Sequence, residues 1–205
     1  MGRDEGYIKF RSDWKKEEPL PITAISSLNG WRQQLYELKL IGVYPDGIGY
    51  GNVSCRWQGE EGLFIVSGST TGRKRILAAA DYTLVTEVTP AQNFLKCKGP
   101  IIASSESMSH AMIYEQCPEV NAAMHVHHLE MWDYYLDKVP ATAEQIPYGT
   151  PEMAYAIRDL LKDDRNREMG FFVMKGHREG IFAFGKSLEE TGHRLLQFYN
   201  KGFSN

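Results

Sequence analysis

The stretch Val120 to His127 (Val-Asn-Ala-Ala-Met-His-Val-His) constrains this chain more than any other. It reads as a short buried strand, and successive side chains of a strand point to opposite faces, so His125 and His127 share one side. Two further residues have matching chemistry, Glu106 upstream and His177 downstream. Three imidazoles and one carboxylate suit a catalytic divalent metal, giving Zn²⁺ the nitrogen and oxygen ligands it accepts while leaving a position for water or substrate. For that to happen the chain must fold so that these distant side chains meet around one cation.

A chain of 205 residues, 42% hydrophobic and 24% charged, has the profile of an ordinary soluble globular protein. At this length roughly 70% of the unfolded surface leaves water on folding, so no disulfide or structural metal is required and a bound metal would serve chemistry. The net charge of −3 excludes a broad footprint for nucleic acid, and Arg73-Lys74-Arg75 is too short to supply one, reading instead as a solvated loop. Cys55, Cys97 and Cys117 are odd in number and far apart, which fits free buried thiols in a reducing, cytoplasmic setting. The first 21 residues scatter charges where a signal peptide needs an apolar core, and no apolar run approaches about 18 residues; neither secretion nor membrane spanning is expected.

Residues 1 to 20 are polar with aromatics at Tyr7, Phe10 and Trp14 and run into Pro19 and Pro21, an extended arm ahead of one domain over 21 to 205. Ile25, Leu28, Trp31, Leu35, Leu38 and Ile41 recur at helical spacing over Thr23 to Ile41, stopped by Gly42. Short strands follow at Asn52 to Trp57, Leu63 to Ser67, Tyr82 to Val88 and Phe94 to Lys98, the first two joined by a Gln58-Gly59-Glu60-Glu61-Gly62 hairpin loop. A second helix should begin at Ser104 or Ser105 and stop before Pro118; Thr150-Pro151-Glu152 opens a third, and Ser187-Leu188-Glu189-Glu190 matches a capping box opening the last. Gly170 to Lys175 and Ile181 to Phe184 read as a strand pair flanking His177. The pattern is a mixed α/β layer protein with one central, mainly antiparallel sheet.

Taken in order, Gly51-Asn52-Val53-Ser54, Phe64-Ile65-Val66-Ser67, Ser104-Ser105-Glu106 with His110, His125-Val126-His127, Tyr148-Gly149-Thr150 and Gly176-His177 resemble the class II aldolase/adducin family, from about Trp31 to Tyr199. The resemblance implies a three-layer fold and a metal, Zn²⁺ first among the candidates, on His125, His127 and His177. Glu106 would be a ligand in the resting enzyme and the base once substrate displaces it. It further implies a small phosphorylated ketose as substrate, cleaved as in the fuculose-phosphate aldolases through an enediolate, and a homotetramer. An epimerase or dehydratase on a similar sugar phosphate is the alternative within enzymes, and an adducin-like interaction module the alternative outside them. Glu106 argues against the epimerase, whose pattern carries the shorter Asp at this place.

The phosphate is expected at Ser104 and Ser105, where a helix start offers free amides and a positive dipole end, with plain N-capping as the other reading. Asn52 joins them by resemblance, as do Ser69 and Gly72 of the Ser67 to Gly72 loop, where Thr71 stays open as an alternative. The short segment from His128 to Tyr148 lacks the aldolases' tyrosine acid and leaves Tyr134, Tyr135 and Tyr148 as substitutes. His110, one helical turn after Glu106, could orient the carboxylate or be packed. His128 alternates to the opposite strand face and reads as a supporting or interface residue, and His193 as packing.

Overall fold

The computed structural model describes residues 7–57 and 62–203. In chain order its elements are β1 (Arg11–Lys15), α1 (Ile22–Glu37), β2 (Gly42–Val43), β3 (Gly49–Tyr50), β4 (Asn52–Arg56), β5 (Phe64–Ser67), β6 (Tyr82–Thr89), β7 (Phe94–Lys98) and α2 (Ser107–Gln116). There follow β8 (Ala122–His127), α3 (Leu129–Tyr135), β9 (Ala141–Thr142), α4 (Pro151–Leu160), α5 (Asp164–Met169), β10 (Phe171–Met174), β11 (Gly180–Gly185) and α6 (Leu188–Tyr199). The loop expected at Gln58 to Gly62 lies, Gly62 apart, outside the described residues, as do residues 1–6 of the arm.

Nine strands form one sheet in the order β1-β7-β6-β5-β4-β8-β11-β10-β9. Its seven inner strands pair antiparallel, while β1 on β7 and β9 on β10 are parallel, so the sheet is mainly antiparallel but mixed at both edges. The strict alternation of strand side chains divides the core in two. Ala123, Phe172 and Phe182 face Met108, Met112 and Ile113 of α2 and Met153 and Ile157 of α4. Met124, Val126 and Ile181 face Ile25, Leu28 and Leu35 of α1 and Leu195 of α6. Burying each large apolar side chain contributes roughly 1.5–3 kcal/mol, so helices on both faces and the sheet between them hold as three layers.

Three helix ends differ from expectation. α1 stops at Glu37 rather than Ile41, because Lys39 turns left-handed (φ 61°) and the amides of Leu40 and Ile41 fold back onto the Leu35 carbonyl at 2.9 and 3.3 Å. Both side chains still enter the core, which is why the apolar spacing runs past the helix. α2 starts at Ser107, after a turn in which the Ser107 amide donates to the Ser104 carbonyl at 3.1 Å. In α6 the Ser187 hydroxyl accepts from the Glu190 amide at 3.1 Å, but the Glu190 carboxylate accepts from the amide of Lys186, one residue earlier than a capping box requires. The arm adds β1 to the sheet edge, with Phe10 buried and the Trp14 indole N–H donating to the Gly99 carbonyl at 2.9 Å.

Candidate metal centre and anion site

Strand β8 lies between β4 and β11, which places Asn52 beside His125 on one flank, Phe182 beside it on the other, and Gly180 beside His127. Asn52 can approach because Gly51 precedes it at φ +75°, where a Cβ would sit 2.8 Å from Ile41 Cγ1. His177 is carried in the tight turn between β10 and β11, whose Gly180 amide donates to the His177 carbonyl at 2.8 Å. The ring centroids are 4.9 Å apart for His125 and His127, 5.2 Å for His125 and His177, and 4.7 Å for His127 and His177. All three are buried, and one nitrogen from each lies within 4.8 Å of the others.

Hydrogen bonding decides which nitrogens face inward. His125 Nδ1 is 3.1 Å from the Ile181 carbonyl, which can only accept, so Nδ1 carries the proton. Tyr44 donates its single proton to Glu179 Oε2 at 2.7 Å, so its oxygen accepts from His127 Nδ1 at 2.8 Å. Burial, reinforced by His177, holds His125 well below the usual imidazole range; burial and the Lys9 ammonium push His177 down to about 3. In neutral rings both Nε2 atoms then present lone pairs, and those of His125 and His127 face each other at 3.0 Å. Lone pairs at that spacing need positive charge between them, and the distance fits two ligands at about 2.0–2.1 Å from one ion. The donor set fits a divalent metal.

Glu106 is 2% exposed and lines the same cleft from just ahead of α2, with Ser109 donating its hydroxyl to Glu106 Oε2 at 2.8 Å. The tight group of candidate ligand atoms among the described residues is nevertheless the three imidazoles alone. Asn52, Ser69, Gly72, Ser104 and Ser105 also line this cleft. The two serines precede the first turn of α2 instead of forming it, and Ser104 Oγ accepts from the Glu106 amide at 3.5 Å. Thr71 donates its hydroxyl to the Gly68 carbonyl at 2.8 Å and so cannot donate it to a ligand. At Gly72 any side chain would collide with the Gly42 carbonyl oxygen. The loop is pinned by the buried Arg32, whose guanidinium donates to the carbonyls of Arg75 at 2.8 Å and Thr71 at 3.1 Å.

His110 does not orient Glu106; Ser109 does. Its Nε2 meets Asn52 Oδ1 at 2.5 Å and its Nδ1 meets Ser54 Oγ at 2.6 Å. Because the amide oxygen of Asn52 only accepts, Nε2 holds the proton, Ser54 donates to Nδ1, and Tyr114 donates to Ser54 at 2.7 Å. Asn52 is thereby locked with its oxygen on His110, leaving its NH₂ as the donor end. His128 caps α3, its Nδ1 accepting from the Met131 amide at 3.2 Å, and stacks edge-on against Tyr199. His193 packs on Trp31. Tyr148 lines the cleft, stacked on His177 at 4.3 Å, whereas Tyr134 and Tyr135 pack with Phe203. Tyr44, Tyr50, Glu179 and Lys9 were invisible as site neighbours in the sequence, having no motif around them.

A larger cavity of about 1480 Å³ runs past Cys55, Trp57 and Thr86 at the opposite end of β4, but no group of metal-ligating side chains among the described residues lies there. The three imidazoles and Glu106 line the smaller cleft.

The Class II Aldolase and Adducin N-terminal domain matches residues 46–200. No curated protein sequence matches the chain. Among solved structures, the fold is similar to l-fuculose-1-phosphate aldolase from Thermus thermophilus, at 23% identity and TM-score 0.56, covering 86% of this chain and 94% of that one. It is similar too to a sugar-phosphate aldolase from Thermotoga maritima, at 15% identity and TM-score 0.64, covering 87% and 91%. An aldolase II superfamily protein from Pseudomonas syringae aligns at 13% identity and TM-score 0.60, covering 90% and 76%. With three quarters of its length matched by the family, and the same layered fold in these structures, the chain belongs to the class II aldolase and adducin N-terminal domain family.

Proposed function

We propose that the protein is a metal-dependent aldehyde-lyase that cleaves or forms a C–C bond in a small phosphorylated ketose. The observation that carries this reading is the meeting of His125 Nε2 and His127 Nε2 at 3.0 Å, with His177 against both rings and the Glu106 carboxylate in the same cleft. His125, His127 and His177 would hold the ion, with Glu106 as a further ligand in the resting state and Zn²⁺ the first choice. When bound, the ion supplies Lewis acidity that draws charge from the oxygens of a hydroxyketone.

The remaining work falls to the chain. Glu106, turned into place by Ser109, takes the proton from the substrate carbon. Asn52 offers its amide donors to the phosphate, beside Ser69, Gly72, Ser104 and Ser105. Tyr148, which lines the cleft, would return a proton to the leaving oxygen. The reading includes a homotetramer, which light scattering would weigh.

Metal analysis of the purified protein, with a screen of phosphorylated ketoses for chelator-sensitive aldehyde release, tests it. About one divalent ion per chain is expected, lost in His125→Ala and His177→Ala while circular dichroism shows the fold retained. Glu106→Gln should keep part of the metal and abolish exchange of the substrate proton with solvent. Unchanged metal in both histidine variants would refute the ligand set, and unchanged exchange would remove Glu106 as base.

A further inference from the structure

His127 is held from behind by two residues that no motif announces. Tyr44 sits in the β2–β3 hairpin, its amide donating to the Ile48 carbonyl at 2.8 Å and its ring 4.5 Å from that of Tyr50. Glu179 sits in the turn that also carries His177, and its carboxylate accepts the Tyr44 proton at 2.7 Å. The backbone of Glu179 is left-handed, at φ +73°, a conformation glycine adopts without steric cost and glutamate does not. The turn thus places a carboxylate where a residue without a side chain would sit more easily. That carboxylate orders a chain of bonds running from Glu179 through Tyr44 to His127 Nδ1.

We propose that Tyr44 and Glu179 are positioning residues for the metal centre. They fix His127 with its proton on Nδ1, strengthen Nε2 as a donor, and so set how tightly the ion is held. This rests on reading His127 as a ligand. A carboxylate one step removed from an imidazole lends it negative charge through the hydrogen bond, while the phenol between them keeps the full charge of Glu179 from reaching the ion itself.

The test is Zn²⁺ affinity by competition with a chromophoric chelator on protein stripped of metal, together with the visible absorption of the Co²⁺-loaded form. Tyr44→Phe should weaken Zn²⁺ binding about 10- to 100-fold and shift the Co²⁺ bands. Glu179→Gln, which keeps an acceptor but removes the charge, should lie between it and the parent. Glu179→Gly separates tuning from folding: it relieves the strained backbone, so the metal-free protein should melt at the same or a higher temperature while its Zn²⁺ affinity still falls. Parent-like Zn²⁺ affinity in both Tyr44→Phe and Glu179→Gly overturns the proposal. His127→Ala is the control. If it retains metal, the ligand reading itself has failed; if it loses metal while Tyr44→Phe does not, only the relay has failed.

Discussion

His110 shows how a residue that touches no substrate can aim one that would. Its ring is fully buried and held well below the usual imidazole range by that burial, with His125 adding to the effect, so it stays neutral and must place one proton on one nitrogen. The acceptor oxygen of Asn52 claims that proton, and the amide NH₂ becomes the end left for an anion. Asn52→Asp keeps the shape and the bond to His110 but exchanges two donors for a negative charge. Losing a hydrogen bond to a charged group costs about 1.5–3 kcal/mol, so affinity for a phosphate ester should fall about 10- to 100-fold with the fold intact. Competition by inorganic phosphate would read this; equal inhibition of parent and variant would take Asn52 out of the anion site.

Among elements, α1 acts on the cleft indirectly, through Arg32 and the loop it holds. Arg32 sits on the buried stripe of the helix and ties down the 71–75 loop through main-chain carbonyls. Arg32→Met keeps most of the volume but strands those acceptors, and at about 1–3 kcal/mol for each unsatisfied buried group a loss of about 2–4 kcal/mol is expected, visible as a lower urea midpoint at constant slope. Elements with strong local chemistry were readable from the sequence. Thr150 and Pro151 mark the start of α4, where the Thr150 hydroxyl accepts from the Met153 amide, and the alternation around His125 and His127 gives the strand and its shared face. β1 was not readable, because all five of its residues are exposed and it pairs only along an edge. Nor was the partner of Glu106, since Ser109 and His110 both follow it by about one helical turn and only the α2 start at Ser107 decides between them. The Tyr44 to Glu179 bond spans 135 positions, and no local pattern encodes a contact of that separation.

At the scale of the whole molecule, the cleft makes folding sensitive to acid. His110, His125 and His177 are all depressed by burial, His177 to about 3, so the unfolded chain takes up protons near pH 6.5 that the folded chain refuses. Stability of the metal-free protein should be full above about pH 6.5 and be lost as pH falls toward about 3, by up to about 1.4 kcal/mol per pH unit for each histidine. Urea titrations at pH 7 and pH 5 would show the loss, and equal midpoints would contradict neutral burial. The arm adds a practical consequence. Lys9 Nζ lies 3.9 Å from the centre of the Tyr148 ring, which is itself stacked on His177, so this part of the arm lies close to the imidazoles. At about 3.3 Å per extended residue, a polyhistidine tag attached upstream of Lys9 is long enough to reach back to the cleft and compete for a metal bound there. Nickel carried over from purification would then pass for native metal, so such a tag should be cut away before stoichiometry is measured.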